Sequence, residues 1–306
     1  MTSLTKTELT KFDRPVKAPA FRRVGTARRI KNNLATVVFA LCFAIALVPL
    51  GWVLWMVVSE GIGAIVSSTW WTHSQKGILP DQSGGGVYHA IYGTIVQSAV
   101  AAAIAVPLGI MAAVYLVEYG RGRLAKVTTF MVDILAGVPS IVAALFVFAL
   151  WIATFGAPQS AFAVSLALVL LMLPVVVRST EEMLKLVPDE LREASYALGI
   201  PKWKTIVRIV IPTAAPGMIS GMLLALARVM GETAPVLVLV GYAKSINTNL
   251  FDGNMASLPL LIYQELANPE AAGRERVWGA ALTLILLIAA LYAAAAVVNK
   301  LLTRNR

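Results

Sequence analysis

The sequence predicts an all-α integral membrane protein with six transmembrane helices. Three observations lead there. Of 306 residues 58% are hydrophobic and only 14% are charged, with a mean hydropathy of +0.76, too apolar and too charge-poor for an ordinary soluble domain. Six apolar runs are each long enough to cross a hydrocarbon core of about 30 Å, which takes roughly 20 helical residues. The basic residues gather in alternate connections between those runs.

Taken in order, the first run covers 35–58, behind a basic leader of more than thirty residues. That leader is too long, and the apolar run too extended, for a cleavable signal. Cys42, the single cysteine, lies inside it and reads as a small apolar filler, since no disulfide partner exists and His73 and His89 provide no metal-ligand spacing. The second run, 92–117, carries Thr94 and Gln97, which suit hydrogen bonds between helices. The third, 128–152, has Asp133 near its start, placed to cap the helix or pair with a basic loop residue. Gly137 and Pro139 predict a kink and close packing there, with a gate hinge as the alternative. The fourth covers 161–178. The fifth, 213–241, exceeds what a crossing needs and is broken by Pro235 and Gly241. The sixth covers 277–301. The resulting organisation is a basic tail over 1–33, a six-helix transmembrane domain over 34–302 with a loop at about 179–211, and a short tail over 303–306.

Orientation follows from lysine and arginine. The leader, the 118–127 and 178–208 connections and the C-terminal tail together hold 21 basic residues. The 59–91 and 242–276 connections hold only Lys76, Lys244, Arg274 and Arg276. Both termini and the 178–208 loop are therefore expected on the cytoplasmic side of the membrane. The leader has no aromatic interleaving beyond Phe12 and Phe21, so a lipid-facing topogenic tail is expected rather than a nucleic-acid arm.

Within the longest cytoplasmic loop, residues 193–212 read EASYALGIPKWKTIVRIVIP. Pro188, Asp189 and Glu190 set a helix start, with acidic residues at the positive end of the dipole. Leu191, Ala194, Ser195 and Leu198 share one face, Gly199 stops the helix, and Pro201 prevents simple continuation. Trp203, Ile206, Val207 and Ile209 then oppose Lys202, Lys204 and Arg208. An interfacial helix lying on lipid is the alternative, but an anionic leaflet would repel Asp189, Glu190 and Glu193. A helix pair projecting toward a protein partner fits better.

These residues carry a resemblance. Glu193-Ala194-Ser195, three residues, Gly199, nine residues, then Ile209-Val210-Ile211-Pro212 is similar to the EAA motif of ABC-importer permeases, in which Ala stands at the third position and Leu at the penultimate one. The resemblance implies type I ABC-importer permease architecture, with Glu193, Ala194, Ser195 and Gly199 in a coupling helix that docks on a separate cytoplasmic ATPase. Ala227-Arg228-Val229-Met230-Gly231-Glu232-Thr233-Ala234-Pro235 resembles the signature of PstA-type phosphate permeases, as does the Asp133–Val142 segment. The family implies a second homologous permease, two copies of the ATPase and an external phosphate-binding protein. It also implies that ATP and Mg are held by the ATPase and no cofactor by this chain. The absence of a G-x-x-x-x-G-K-[ST] loop agrees, making this a non-catalytic subunit.

Charge inside the bilayer is costly, so Asp133, Arg228 and Glu232 stand out. Arg228 and Glu232 are four apart, on one face if the helix continues. Two readings follow: a mutually neutralising packing pair, or an anion site. In the second, the planar guanidinium suits a tetrahedral oxyanion. The carboxylate would repel sulfate yet accept a proton-bearing oxygen of hydrogen phosphate, whose second pKa lies near that of phosphoserine, about 6. Other function classes are an ion-coupled carrier using Glu232 as proton relay and an intramembrane hydrolase. No inverted repeat supports the first. The serine of Gly217-Met218-Ile219-Ser220-Gly221 is misplaced for G-x-S-x-G, and no crossing holds a histidine for the second. An ABC permease for sulfate or molybdate is the nearer rival.

Overall fold

The computed structural model describes residues 25–304; the leader up to residue 24 and residues 305–306 lie outside the described residues, and with them most of the expected basic tail. The chain divides into two compact units, the first ending at Leu54 and the second beginning at Trp55. The described part of the first unit is helix, with every side chain exposed, Cys42 included. This helix, α1 (Thr26–Ile65), starts at Thr26 rather than at 34, so Arg28, Arg29 and Lys31 ride on its first turns.

Among the described residues all regular structure is helical. In the second unit the end of α1 leads to a short α2 (Ser68–Thr72) and then α3 (Tyr88–Val114), which runs on through a π-helical turn at Tyr115–Tyr119. Next come α4 (Gly122–Gly137), α5 (Ser140–Val147, continued by π-helical Phe148–Thr154) and α6 (Ala161–Lys185). The short α7 (Asp189–Ala197) and α8 (Lys202–Thr205) follow, and π-helical Ile206–Val210 carries the chain into α9 (Ile211–Met230). The chain ends with α10 (Ala234–Leu239), α11 (Leu258–Leu266) and α12 (Ala271–Arg304).

Five helices are long and apolar enough to cross a membrane, and α4 with α5 makes a sixth crossing if the bent pair counts as one. The expected kink at Gly137–Pro139 is a break: the two halves meet at 107°. Pro139 explains it, because it has no amide proton to give and pushes Val138 into extended backbone, here φ −72° and ψ 125°. The fifth crossing also breaks earlier than Pro235, at Gly231-Glu232-Thr233 between α9 and α10.

Helix α6 is the axis of the second unit. Two thirds of its most apolar stretch is buried, with Val164, Ala167, Leu168 and Val176 in the core. Lipid tails are as apolar as leucine, so helix contact here depends on close approach by small residues. Where α3 meets α6, a β-carbon on Gly109 would sit 2.6 Å from Val176 Cγ1. The Ser165 hydroxyl lies 3.0 Å from the Gln97 carbonyl oxygen of α3 and 2.9 Å from Ala161 O of its own helix. Thr94 accepts a hydrogen bond from the backbone N–H of Leu258 (2.8 Å), fastening α11 to α3. Thr94 thus links helices with its side chain, whereas Gln97 does so through its backbone.

At the end where the 66–87 and 240–257 connections gather, polar groups are buried and paired. Arg276 and Glu265 form an ion pair at 3.3 Å, with side chains 3% and 8% exposed. The same guanidinium donates to the carbonyls of Leu79 and Gln82 and, through Nε, to Gly84. Tyr242 donates to Gln75 Oε1 at 2.5 Å. Burial, reinforced by the Glu265 carboxylate, raises the phenol above its usual range, so it stays a donor. Helix α12 begins at Ala271, not 277, which places Arg276 on a helix rather than in a solvated loop.

Two packing predictions follow. An alanine β-carbon at Gly93 would lie 1.8 Å from the Ala256 carbonyl oxygen, whereas at Gly63 it meets nothing within 4 Å. Gly93→Ala is expected to cost about 1–3 kcal/mol and lower the apparent melting temperature of the solubilised protein, while Gly63→Ala leaves it unchanged or higher. Arg276→Met strands a buried carboxylate and is expected to destabilise by about 3–5 kcal/mol; adding Glu265→Leu recovers part of that loss in the same melting assay.

Candidate functional site

The connection between α6 and α9 holds the expected coupling segment, and its geometry is set residue by residue. Pro188 takes extended backbone immediately before α7, and Asp189 and Glu190 occupy the first turn. Asp189 does not cap through its side chain; it pairs with Arg192 one turn on, at 2.9 Å. At the other end the Gly199 N–H donates to Tyr196 O (2.9 Å) and the Ile200 N–H to Ser195 O (3.2 Å). Those two bonds are a Schellman closure, and Gly199 adopts φ +73°, the left-handed conformation it requires. The expected helix stop is there, and glycine supplies it without a side-chain penalty.

Of the four expected coupling residues, Glu193, Ala194 and Gly199 are exposed and Ser195 is not. Ser195 points inward and its hydroxyl meets Thr205 Oγ1 at 2.8 Å, tying α7 to α8. It holds the hairpin together rather than forming part of the outer surface. That surface is apolar: Leu198 is 79% exposed and Trp203 62%, with Leu191 and Val207 beside them, while Ile206 turns into the core.

Sequence reasoning passed over Arg192, which is the main anchor of α7. Its guanidinium reaches Glu118 Oε1 at the end of α3 (3.1 Å), the carbonyls of Leu184 in the last turn of α6 (3.0 Å) and of Val187 just past it (2.6 Å), and Asp189. Glu118 is 5% exposed and Arg192 13%. A five-donor fork suits such a junction, where a point charge would not. The available signal was a lone arginine on an otherwise acidic and neutral short helix.

Asp133 pairs with Arg178, a basic residue as expected, but one inside α6 rather than in the loop. Arg178 continues to Glu181 (2.8 Å), which accepts from Lys185 (2.6 Å), so an alternating chain of charges joins α4 to α6. Gly137 and Pro139 sit at the break just beyond Asp133.

Arg228 lies in the last turn of α9, but Glu232 falls after the helix ends at Met230. The two are therefore not neighbours on one continuous helical face. They approach at 3.9 Å from Nε to Oε1, with no hydrogen bond, and the arginine side chain is 61% exposed against 19% for the glutamate. An exposed contact at that distance contributes about 0–1 kcal/mol to folding. The guanidinium keeps its donors for another acceptor.

Residues 105–305 match the family described as binding-protein-dependent transport system inner membrane component. The chain is 67% identical over 300 residues to phosphate transport system permease protein PstA 1 of Mycobacterium tuberculosis (strain CDC 1551 / Oshkosh), covering 98% of this chain and 99% of that one. It is 40% identical over 268 residues to phosphate transport system permease protein PstA of Yersinia pestis, covering 87% and 89%. A bacterial alginate ABC transporter, crystallised with an alginate-pentasaccharide-bound periplasmic protein, has a chain of the same fold at a TM-score of 0.59. That match is 13% identical and covers 88% of this chain and 94% of that one. The fold is that of type I ABC-importer permeases. With its bent crossing, its α7–α8 hairpin and near-full-length kinship to these permeases, the chain belongs to the binding-protein-dependent transport inner membrane component family, within its PstA group.

Proposed function

We propose that this chain is the membrane-spanning subunit of an ATP-driven inorganic phosphate importer, forming half of the translocation pathway. Near-full-length identity of 67% to a phosphate transport system permease carries the proposal. A second homologous permease completes the pathway, two copies of a cytoplasmic ATPase hold ATP and Mg, and an external binding protein delivers phosphate. This chain itself performs no hydrolysis. Both termini and the α7–α8 hairpin lie in the cytoplasm, as the asymmetry of basic residues supports.

In this reading α7 docks in a groove of the ATPase. Its exposed Glu193, Ala194 and apolar rim make the contact, and Ser195 and Gly199 fix the hairpin's shape. Residues 1–33, the permease domain over 34–302 with its coupling loop, and the short tail remain the working division of the chain. Gly137 and Pro139 give the pathway a bent crossing whose two halves meet at 107°. Asp133 holds the first half to α6 through Arg178.

Arg228 and Glu232 line the pathway as an anion site. The weak contact between them and the exposure of Arg228 favour this over a packing pair. Hydrogen phosphate accepts from the guanidinium and donates its own proton to Glu232, whereas sulfate has no proton to donate near neutral pH.

Two sets of variants test the proposal in cells, with uptake of radiolabelled phosphate as readout and membrane abundance checked by blot. Gly199→Asp forces a side chain into left-handed backbone and places a charge beside the docking surface. It is expected to reach the membrane at normal abundance and to lose ATP-driven uptake. Full uptake would remove α7 from coupling. Arg228→Ala is expected to lower uptake about ten- to a hundredfold, the loss that goes with a charge-assisted hydrogen bond of about 1.5–3 kcal/mol. Glu232→Gln is expected to keep some phosphate entry and admit sulfate. Restored uptake in Arg228→Ala combined with Glu232→Ala would make the pair structural instead.

A further inference from the structure

A cavity of about 430 Å³ opens between the end of α3, the start of α4 and the α7–α8 hairpin. Four cations line it, Arg121, Lys185, Arg192 and Lys202, against two carboxylates, Glu118 and Asp189. Both carboxylates are already committed to Arg192, at 3.1 and 2.9 Å. Lys185 is committed to Glu181 at 2.6 Å. Arg121 has no hydrogen-bond or ion-pair partner among the described residues. Lys202 meets only the Glu118 backbone carbonyl and the face of Tyr119, 4.8 Å from the ring centre. Two cations therefore face one polar cavity without an ion pair to any carboxylate among the described residues.

We infer that this cavity is a binding site for a phosphate-class oxyanion, held by Arg121 and Lys202. The guanidinium offers a planar pair of donors and the ammonium three rotatable ones. Tyr119 and Tyr196 line the same cavity and add phenolic O–H donors. A phosphate group offers these donors more acceptor oxygens than a carboxylate does. Arg192 with Glu118 and Asp189 carries one net negative charge, which the two charges of Arg121 and Lys202 outweigh.

The position gives the site a consequence. Arg121 immediately precedes α4, and Lys202 begins α8 in the hairpin. An anion bridging them links the start of the bent crossing to the coupling segment. The cavity also adjoins the end of the crossing helix α3, so two sources present the same chemistry: the headgroup of an anionic phospholipid and inorganic phosphate in the cytoplasm. Its placement on the ATP side rests on the orientation given above.

The complete transporter, reconstituted in nanodiscs without ATP or the external binding protein, tests the inference. All forms carry Arg228→Ala, so that phosphate held in the pathway does not contribute. In discs of phosphatidylcholine alone, radiolabelled inorganic phosphate is expected to bind. Arg121→Gln with Lys202→Gln is expected to weaken that binding at least tenfold, and Arg121→Lys to weaken it less. In discs with added phosphatidylglycerol, a lipid-headgroup site shows as phosphatidylglycerol retained through detergent extraction by the parent and lost by the double glutamine form. Either difference supports the site and identifies its source. Equal phosphate binding and equal lipid retention in the parent and double glutamine forms would overturn it, as would binding that follows an acidic segment of the ATPase instead. Failure of the function proposed above is read separately, as absent phosphate uptake by the unsubstituted transporter.

Discussion

The close approach of α3 to α6 is the contact on which the second unit depends. In a bilayer there is no hydrophobic gain from bringing two apolar helices together, so the contact must come from fit. Gly109 beneath Val176 and the Ser165 hydroxyl against the Gln97 carbonyl supply that fit. Once α6 is fixed, the neighbouring elements gain a reference. Helix α11 is fastened to α3 by Thr94, and α4 is fastened to α6 through Asp133 and Arg178. Helix α7 is fastened to both through Arg192.

A second constraint shapes what surrounds that axis. Backbone at membrane depth has to satisfy its own hydrogen bonds or be covered by protein. The break at Val138–Pro139 meets this locally: the Val138 N–H donates to Leu135 O, and Pro139 has no amide proton to satisfy while its carbonyl accepts from Val142 and Ala143. Among the described residues π-helical turns end α3 at Tyr115–Tyr119 and α5 at Phe148–Thr154, and a third, Ile206–Val210, keeps α8 and α9 continuous. That third turn directly follows the α7–α8 hairpin, and Glu118 of the first pairs with Arg192 of the hairpin.

Much of this was legible in the sequence. Apolar run length located the crossings, and the Pro188, Gly199 and Pro201 signals located the hairpin, because each acts through its own backbone geometry. What depended on distant partners was not legible. Helical spacing puts Ser195 on one face with Leu191, Ala194 and Leu198, yet Thr205 draws it inward while the other three stay exposed. Helical spacing put Arg228 and Glu232 on one face, but Gly231 stops α9 between them. The severity of the bend after Gly137 was hidden as well, since a proline motif does not specify an angle. Arg192 and Glu118 are 74 residues apart, and no local pattern pairs them.

The Arg192 junction has a bearing on how permeases of this kind exchange parts. The motif that marks the proposed coupling segment begins at Glu193, one residue after the arginine that holds the segment in place. Its buried counter-charge, Glu118, lies on another helix, outside any contiguous stretch that would be moved with it, and only the exposed Asp189 travels along. A chimera built by transplanting residues 188–212 into a foreign scaffold carries a nearly buried guanidinium that has lost its buried carboxylate and keeps only that exposed one. The hairpin is therefore not a portable module. Its natural unit of exchange includes the end of α3.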